Sequence, residues 1–506
     1  MNVLLVYPSY PDTFWSFKTV LKYISKKAAF PPLGLLTVAA MLPREWNLRL
    51  VDVNVRELTD QDLDWADLVM VSAMIVQKDS AHAIIERCSE LGRKVVAGGP
   101  LFNTRWESFP QVDHFVLDEA EVTLPLFLED MARGAGKRIY RSNRRPDINT
   151  TPVPAWHLID MEDYATMCVQ YSRGCPFNCE FCDIIIMNGR VPRTKKSERL
   201  LAELESLYRA GWRRGVFIVD DNFIGNTNKV KAMLPHLIAW QQARGHPFQF
   251  LTEASTNLAD DEELMWLMSA ANFHKVFLGI ETPEVESLRE CGKLQNASRD
   301  LVEAVRVIQR HGMQVMGGFI VGFDSDTEST FEAQVRFIQQ VGIVTAMVGV
   351  LNALPQTKLW HRMRAENRLL QEVPGGENTA AEINFIPRMG RDRLLQGYRS
   401  IIASIYSRRM YYKRINVFLS DYVPTVRGRF TRRDLRPLFL SMLRIGIFSL
   451  SSVFYWKLLI KTLFTKARAL PEVIEMTIVG EHYRRMRKRV LAAGRDRLEA
   501  GVVERQ

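Results

Sequence analysis

The sequence predicts an α/β protein built in three parts: a doubly wound parallel sheet, a partial barrel of βα units and a mainly helical C-terminal domain. Three observations lead there. Short apolar runs alternate with helix-length stretches from the first residues to about 135. A second alternating series starts at Met167 and continues for six units. After about 380 the alternation stops, and helix-period sequence rich in Arg and aromatics takes over. Strands separated by helices make parallel sheets, because the crossover needs a helix's length of chain. The boundaries read this way are 1–140, a linker at 141–160, 161–370 and 371–506.

In the first part the apolar runs are NVLLVYP, LRLVDV, DLVMVSAMIV, KVVAGGP and a weaker HFVLD, with helix-like stretches at 35–42 and 80–91. This is a Rossmann-like pattern, and such sheets bind ligands beyond the carboxyl ends of their strands. Two of those ends are small or polar, Ser72-Ala73 and Gly98-Gly99-Pro100. The following segment, GKRIYRSNRRPDINTTPVPAWHL, is polar, basic and without period, as a linker would be. The second series places strands at 167–173, 215–220, 248–254, 275–281, 314–322 and 345–353, a TIM-like arrangement whose chemistry sits at strand carboxyl ends.

Composition narrows the class. With 506 residues, 47% hydrophobic, 25% charged and only six cysteines, the chain is neither disordered nor a disulfide scaffold. The opening MNVLLVYPSYP reads as a strand and a turn, so no secretory signal and a reducing cytoplasm are expected. Net charge is +10, unevenly placed: 381–506 holds 26 Lys and Arg against 10 Asp and Glu, whereas 1–380 is net acidic. A basic tail suits an anionic membrane surface, nucleic acid or plain solvation. The stretch 437–464 is strongly apolar, but its longest uncharged run, 445–456, is 12 residues against the ~20 of a spanning helix. It reads as a buried helix ahead of an interfacial one.

Three cysteines fall in Tyr171-Ser-Arg-Gly-Cys175-Pro-Phe-Asn-Cys179-Glu-Phe-Cys182, a C-x3-C-x2-C pattern just after the first strand of the second series. Thiolates are the ligands of iron–sulfur clusters, and four complete a [4Fe–4S] set. Three with no fourth nearby would leave one iron open, as catalytic metal centres do. Zinc is the competing reading, but it takes four ligands in paired units and no second pair follows. Cys168 lies in an apolar strand and reads as an inert buried thiol; Cys88 and Cys291 are isolated.

At these residues the chain resembles the radical S-adenosylmethionine (SAM) superfamily. The resemblance covers about 160–365 and implies a [4Fe–4S] cluster on Cys175, Cys179 and Cys182, with the open iron binding SAM. Reductive cleavage would then give a 5′-deoxyadenosyl radical. It also implies SAM contacts at strand ends: Asp220, Asp221 and Asn222, Glu253, Glu281 of Gly279-Ile-Glu-Thr282, and Gly317-Gly318. Against each stands an ordinary structural role: a helix cap for Asp221 or Asn222, a paired carboxylate for the glutamates, tight strand packing for the glycines.

The domain ahead of the barrel resembles the cobalamin-binding domain of B12-dependent radical enzymes. Phe30-Pro-Pro-Leu-Gly34 is similar to the start of that family's first helix. Ser72 to Gln77 and Gly98, Gly99 and Pro100 would border the corrin. No D-x-H-x-x-G motif occurs and the domain's histidines, His82 and His114, sit in other contexts, so cobalt would lack a histidine ligand. Nicotinamide is disfavoured because no G-x-G-x-x-G follows the first strand. Asp220-Asp-Asn-Phe-Ile-Gly-Asn226, Gly279-Ile-Glu-Thr-Pro283 and Leu351-Asn-Ala-Leu-Pro-Gln-Thr-Lys-Leu-Trp360 resemble the subgroup containing hopanoid C-2 methyltransferases.

The resemblance implies a C-methyltransferase (EC 2.1.1) using a [4Fe–4S] cluster, SAM and cobalamin, with methylcobalamin donating to an unactivated carbon of a lipid or natural product. A cyclase or rearrangement enzyme on the same scaffold is the alternative. The expected partners are a small-molecule or lipid substrate, an electron donor such as flavodoxin or ferredoxin, and a membrane touched peripherally at its inner face. Nucleic acid is not expected, although Tyr406-Ser-Arg-Arg-Met-Tyr-Tyr-Lys-Arg414 interleaves aromatic and basic residues.

Overall fold

The computed structural model describes residues 1–370, 377, 379, 381–425 and 432–503, the side chains of 432–434 and 493–503 excepted. The expected boundary at 371 and the last three residues lie outside the described residues. The chain forms two compact units.

The first unit comprises Met1–Asp12, Lys26–Arg173 and Arg193–Arg214. Its sheet contains β1 (Asn2–Tyr7), β2 (Asn47–Asp52), β3 (Leu68–Ser72), β4 (Lys94–Gly98), β5 (His114–Val116) and β6 (Ile139–Tyr140). All pairs are parallel, in the order β2-β1-β3-β4-β5-β6. The alternation of side chains along β1 explains the layers. Val3 and Leu5 pack with Leu35, Ala39 and Phe127 on one face; Leu4 and Val6 pack with Leu63, Ala81 and Ile84 on the other. Each such residue is worth roughly 1.5–3 kcal/mol of burial. The order reverses between β1 and β3, opening a crevice at their carboxyl ends. Strand β6 falls inside the polar segment read as a linker; two residues are too few for a periodic signal. This unit also holds β7 (Met167–Val169) and an antiparallel ribbon of β8 (Ser172–Arg173) and β9 (Arg193–Thr194).

The second unit comprises Thr13–Ser25, Gly174–Pro192 and the chain from Gly215 onward. Five strands of the expected series lie in it: β10 (Gly215–Ile218), β11 (Gln249–Ala254), β12 (Phe273–Glu281), β13 (Gln314–Val321) and β14 (Ala346–Val350). They pair in parallel in chain order. The helix Leu301–Arg310 shows why the helices between them form. Leu301, Ala304, Val305 and Ile308 share a buried stripe, and Asp300 caps the start by accepting from the amides of Val302 and Glu303.

After β14 the described residues form six α-helices, Lys358–Ala365, Arg391–Ile405, Arg408–Asp421, Arg432–Ser441, Ser452–Thr465 and Leu470–Val503. Here one expectation is corrected: the apolar stretch is not a buried helix. In Ser452–Thr465 only Tyr455, Leu458, Leu459 and Thr462 are buried, whereas Val453, Ile460, Leu463 and Phe464 are exposed. A helix apolar all round normally lies inside; this one has protein on one side only.

Ile308→Ala should cost about 2–5 kcal/mol of stability and Asp300→Ala about 1 kcal/mol, read as chemical denaturation midpoints.

Candidate active site

The three cysteines lie on one loop, 174–183, between β8 and the short helix Ile184–Met187. Gly174 opens it at φ 101°, with Gly189 O only 2.9 Å from where a Cβ would stand. A loop without a ladder of its own must be tied from outside. One tie is Asp221, just past β10, whose Oδ2 accepts from the Gly174 amide at 2.7 Å and from Asn188 Nδ2 at 2.9 Å. The other is Glu180. Its amide donates to Cys291 O at 2.9 Å and its carbonyl accepts from the Leu359 amide at 3.0 Å. Its carboxylate pairs with Nε and Nη2 of Arg362, whose Nη1 donates to Asp324 at 2.6 Å and whose Nη2 also reaches Glu290 at 3.2 Å. Charge-assisted bonds of this kind are about twice as strong as neutral ones.

Burial pushes all three thiols up, Cys182 to about 12. At Cys175 and Cys179 the nearby Lys293 ammonium opposes that rise, and Asn222 Nδ2 lies 3.9 Å from Cys175 Sγ. Three thiols on one tied loop, with an amide donor toward sulfur, fit three corners of an iron–sulfur cubane. Among the described residues no three His, Cys, Asp or Glu side chains converge as a single ion would require. The other cysteines, Cys88, Cys168 and Cys291, are buried.

The strand-end residues divide by what they touch. Asp221 and Asn222 hold the cysteine loop, Asn222 also donating to Ser255 Oγ at 3.2 Å. Asp220 is buried beside them. Glu253 is pushed up to about 7 by burial first and by the charges of Asp221 and Asp220 second, which marks a carboxyl poised for a cationic partner. Glu281 has the left-handed φ of 66°, rare for a side chain with a Cβ, and pairs in the interior with Lys293. Gln334 donates to the Glu281 carbonyl, and Asn296 to those of Gly279 and Ile280, which hold that turn. The space left by Gly317 and Gly318 is taken by the rings of Phe319 and Phe277, which a Cβ would meet at 2.7 and 2.8 Å.

In the first unit, Ser72 and Gly98 face each other at the ends of β3 and β4. Gly99 has φ 92°, and a Cβ there would stand 2.7 Å from Ser72 Oγ; Pro100 starts the helix Pro100–Arg105. Gln77 is buried, donates to Pro8 O and accepts from the Met74 amide at 2.8 Å, so it folds the loop after β3 back toward β1. Glycine is needed at 98 as well, where Val116 O lies 2.7 Å from the place of a Cβ. Tyr7 and Tyr10, joined through their hydroxyls at 2.7 Å, stand beside this loop at the end of β1.

Sequence reasoning missed Lys293, Arg362 and Glu180. Each is a single charged residue in polar sequence, and only the fold shows that they converge on the cysteine loop.

Family models match the chain in three places: a B12 binding domain over 24–128, the radical SAM superfamily over 169–338, and a domain of unknown function (DUF4070) over 357–495. An uncharacterized methyltransferase of Synechocystis sp. is 44% identical, covering 88% of this chain and 84% of that protein. The hopanoid C-2 methylase of Rhodopseudomonas palustris is 33% identical, covering 91% and 89%. The chain belongs to the cobalamin-dependent radical SAM family. The solved structure of the cobalamin-dependent SAM radical enzyme OxsB, with aqua-cobalamin and SAM bound, has the same fold: TM-score 0.62 at 15% identity, over 99% of this chain and 81% of that one. TsrM from Kitasatospora setae, with cobalamin and a [4Fe–4S] cluster bound, also matches at TM-score 0.62, 14% identity, over 94% and 98%. The radical SAM enzyme described here is thus of a methyltransferase family, and its cofactors are a [4Fe–4S] cluster, SAM and cobalamin.

Asp221→Ala and Arg362→Met each remove a tie on the cysteine loop, and both should weaken cluster retention about 10–100-fold, measured as iron lost to a chelator. Glu253 binds its proton more tightly folded than unfolded, so it subtracts stability as pH rises from about 4.5 to about 7. Glu253→Gln in the cofactor-free chain should therefore have a thermal midpoint advantage over wild type that grows from pH 5 to pH 8.

Proposed function

We propose that this enzyme is a C-methyltransferase acting on an unactivated carbon of an apolar, polycyclic lipid or a related natural product. The observation that carries the reading is the near full-length relation to the hopanoid C-2 methylase; the exposed apolar helices of the C-terminal part support a lipid over a water-soluble substrate. When bound, the cofactors supply a radical able to take hydrogen from carbon, and a methyl group on cobalt.

The chain's own residues hold and orient. Cys175, Cys179 and Cys182 bind the cluster as thiolates, giving up three protons that burial otherwise retains. Asp220, Glu253 and Glu281 receive the SAM amine and ribose, and Lys293, paired with the Glu281 carboxylate, fixes its position. Asp221 and Asn222 act through the cysteine loop. Gly317 and Gly318 make room on β13 for the rings of Phe319 and Phe277. Ser72, Gln77, Gly98, Gly99 and Pro100 border cobalamin. Electrons come from a flavodoxin or ferredoxin, and the enzyme works peripherally at a membrane.

Incubation of the reconstituted enzyme with deuterated-methyl SAM, a reductant and candidate polycyclic lipids should give a product heavier by a trideuterated methyl. Cys175→Ala should lose both the cluster absorbance and the product. Formation of 5′-deoxyadenosine with an altered substrate carrying no deuterium would instead mark a cyclase or rearrangement enzyme.

A further inference from the structure

Of the 21 exposed large apolar side chains among the described residues, eleven fall within 435–464. Scattered exposed hydrophobics are ordinary; a concentration of this kind marks a binding surface. Leu435, Phe439 and Leu443 recur at four-residue spacing on one helix and its continuation, and Val453, Trp456, Ile460 and Leu463 form a stripe on the next. The connecting turn between them also exposes large apolar side chains, Phe448 at 77% and Leu450 at 81%.

The charge pattern says what covers this surface. From 435 to 471 the sequence has no Asp or Glu, and it has six cations: Arg436, Arg444, Lys457, Lys461, Lys466 and Arg468. At the exposed turn lies a cavity of about 420 Å³ lined by Phe448 and Leu450 together with Lys22, Arg408, Arg444 and Arg485. None of these four cations has a carboxylate within ion-pair distance among the described residues. Arg408 Nε is buried without a hydrogen-bond partner. The cavity's single acid, Glu481, is already paired with Arg484 and accepts from Ser449 Oγ at 3.3 Å. Apolar side chains beside a cationic pocket match the acyl boundary and phosphate of an anionic phospholipid. The helix Ser452–Thr465 has 14 residues, about 21 Å, and no described helix is long and apolar enough to cross a bilayer, so the hairpin lies on the surface.

We propose that the hairpin around 435–465 docks this enzyme on an anionic phospholipid bilayer, Phe448 and Leu450 entering the acyl boundary while Lys22, Arg408, Arg444 and Arg485 take a lipid phosphate. The proposal deepens the peripheral-membrane part of the reading above and rests on no assumption about turnover.

The test is co-sedimentation of the full-length reconstituted protein with vesicles of phosphatidylcholine alone or mixed with phosphatidylglycerol. The protein partitions onto the mixed vesicles and releases as salt is raised. The double variant Phe448→Ser/Leu450→Ser, altered only at exposed positions, binds at least tenfold more weakly. Arg444→Glu binds the mixed vesicles about fivefold or more weakly. Cluster absorbance and thermal midpoint of both variants match wild type, which separates lost docking from lost folding. Equal binding to neutral vesicles overturns headgroup recognition, and unchanged binding of the variants overturns the assigned surface. A dimer in vesicle-free solution that the double variant splits makes the hairpin a contact between copies and overturns the proposal. Methyl transfer measured on a detergent-dispersed substrate reads the proposed function separately.

Discussion

A parallel sheet buried on both faces has only one place for polar chemistry, the edge formed by the carboxyl ends of its strands. Both units obey that constraint. In β1 every residue from Val3 to Val6 goes to one core face or the other, so the first polar opportunities come at Tyr7 and beyond. In the second unit Asp220, Glu253 and Glu281 likewise stand at or just past the carboxyl ends of β10, β11 and β12. Burial there, and after it the charges of Asp221 and Asp220, lift Glu253, while Glu281 is paired with the Lys293 ammonium. Such a site is stable chiefly when something cationic completes it.

The parts of this arrangement legible in the sequence were those that repeat or cluster. Strand–helix alternation located β1 to β5 and β10 to β14 because burial on both faces demands long apolar runs. The C-x3-C-x2-C spacing was legible because three thiols in eight residues rarely serve packing alone. What could not be read was convergence. Asp221 looked like a ligand contact and is found holding the Gly174 amide, a bond 47 residues apart in the chain. Lys293 and Arg362 carry no local pattern at all. The apolar stretch at 437–464 misled for a related reason: hydropathy describes a segment as a whole and does not say which of its faces the rest of the chain covers.

The C-terminal helices therefore have two distinct faces to account for. Tyr455, Leu458 and Leu459 bind the hairpin to its own unit, whereas the outward stripe gives nothing to folding. Selection for stability alone would replace that stripe with charge, since exposed apolar area promotes association. The stripe instead stands beside cations that have no carboxylate within ion-pair distance among the described residues, so apolar and basic character share one surface.

The ties on the cysteine loop also set an order of events. Cys175, Cys179 and Cys182 leave the ribosome long before Arg362, which stands 182 residues beyond the Glu180 it grips, and before Cys291, whose carbonyl receives the same loop. Until that later sequence has folded, the loop carrying the three thiols has the Asp221 tie but not the contacts that hold Glu180. A chain truncated before the helix Lys358–Ala365 would keep all three cysteines of the loop yet lack Leu359 and Arg362, which hold Glu180 between them.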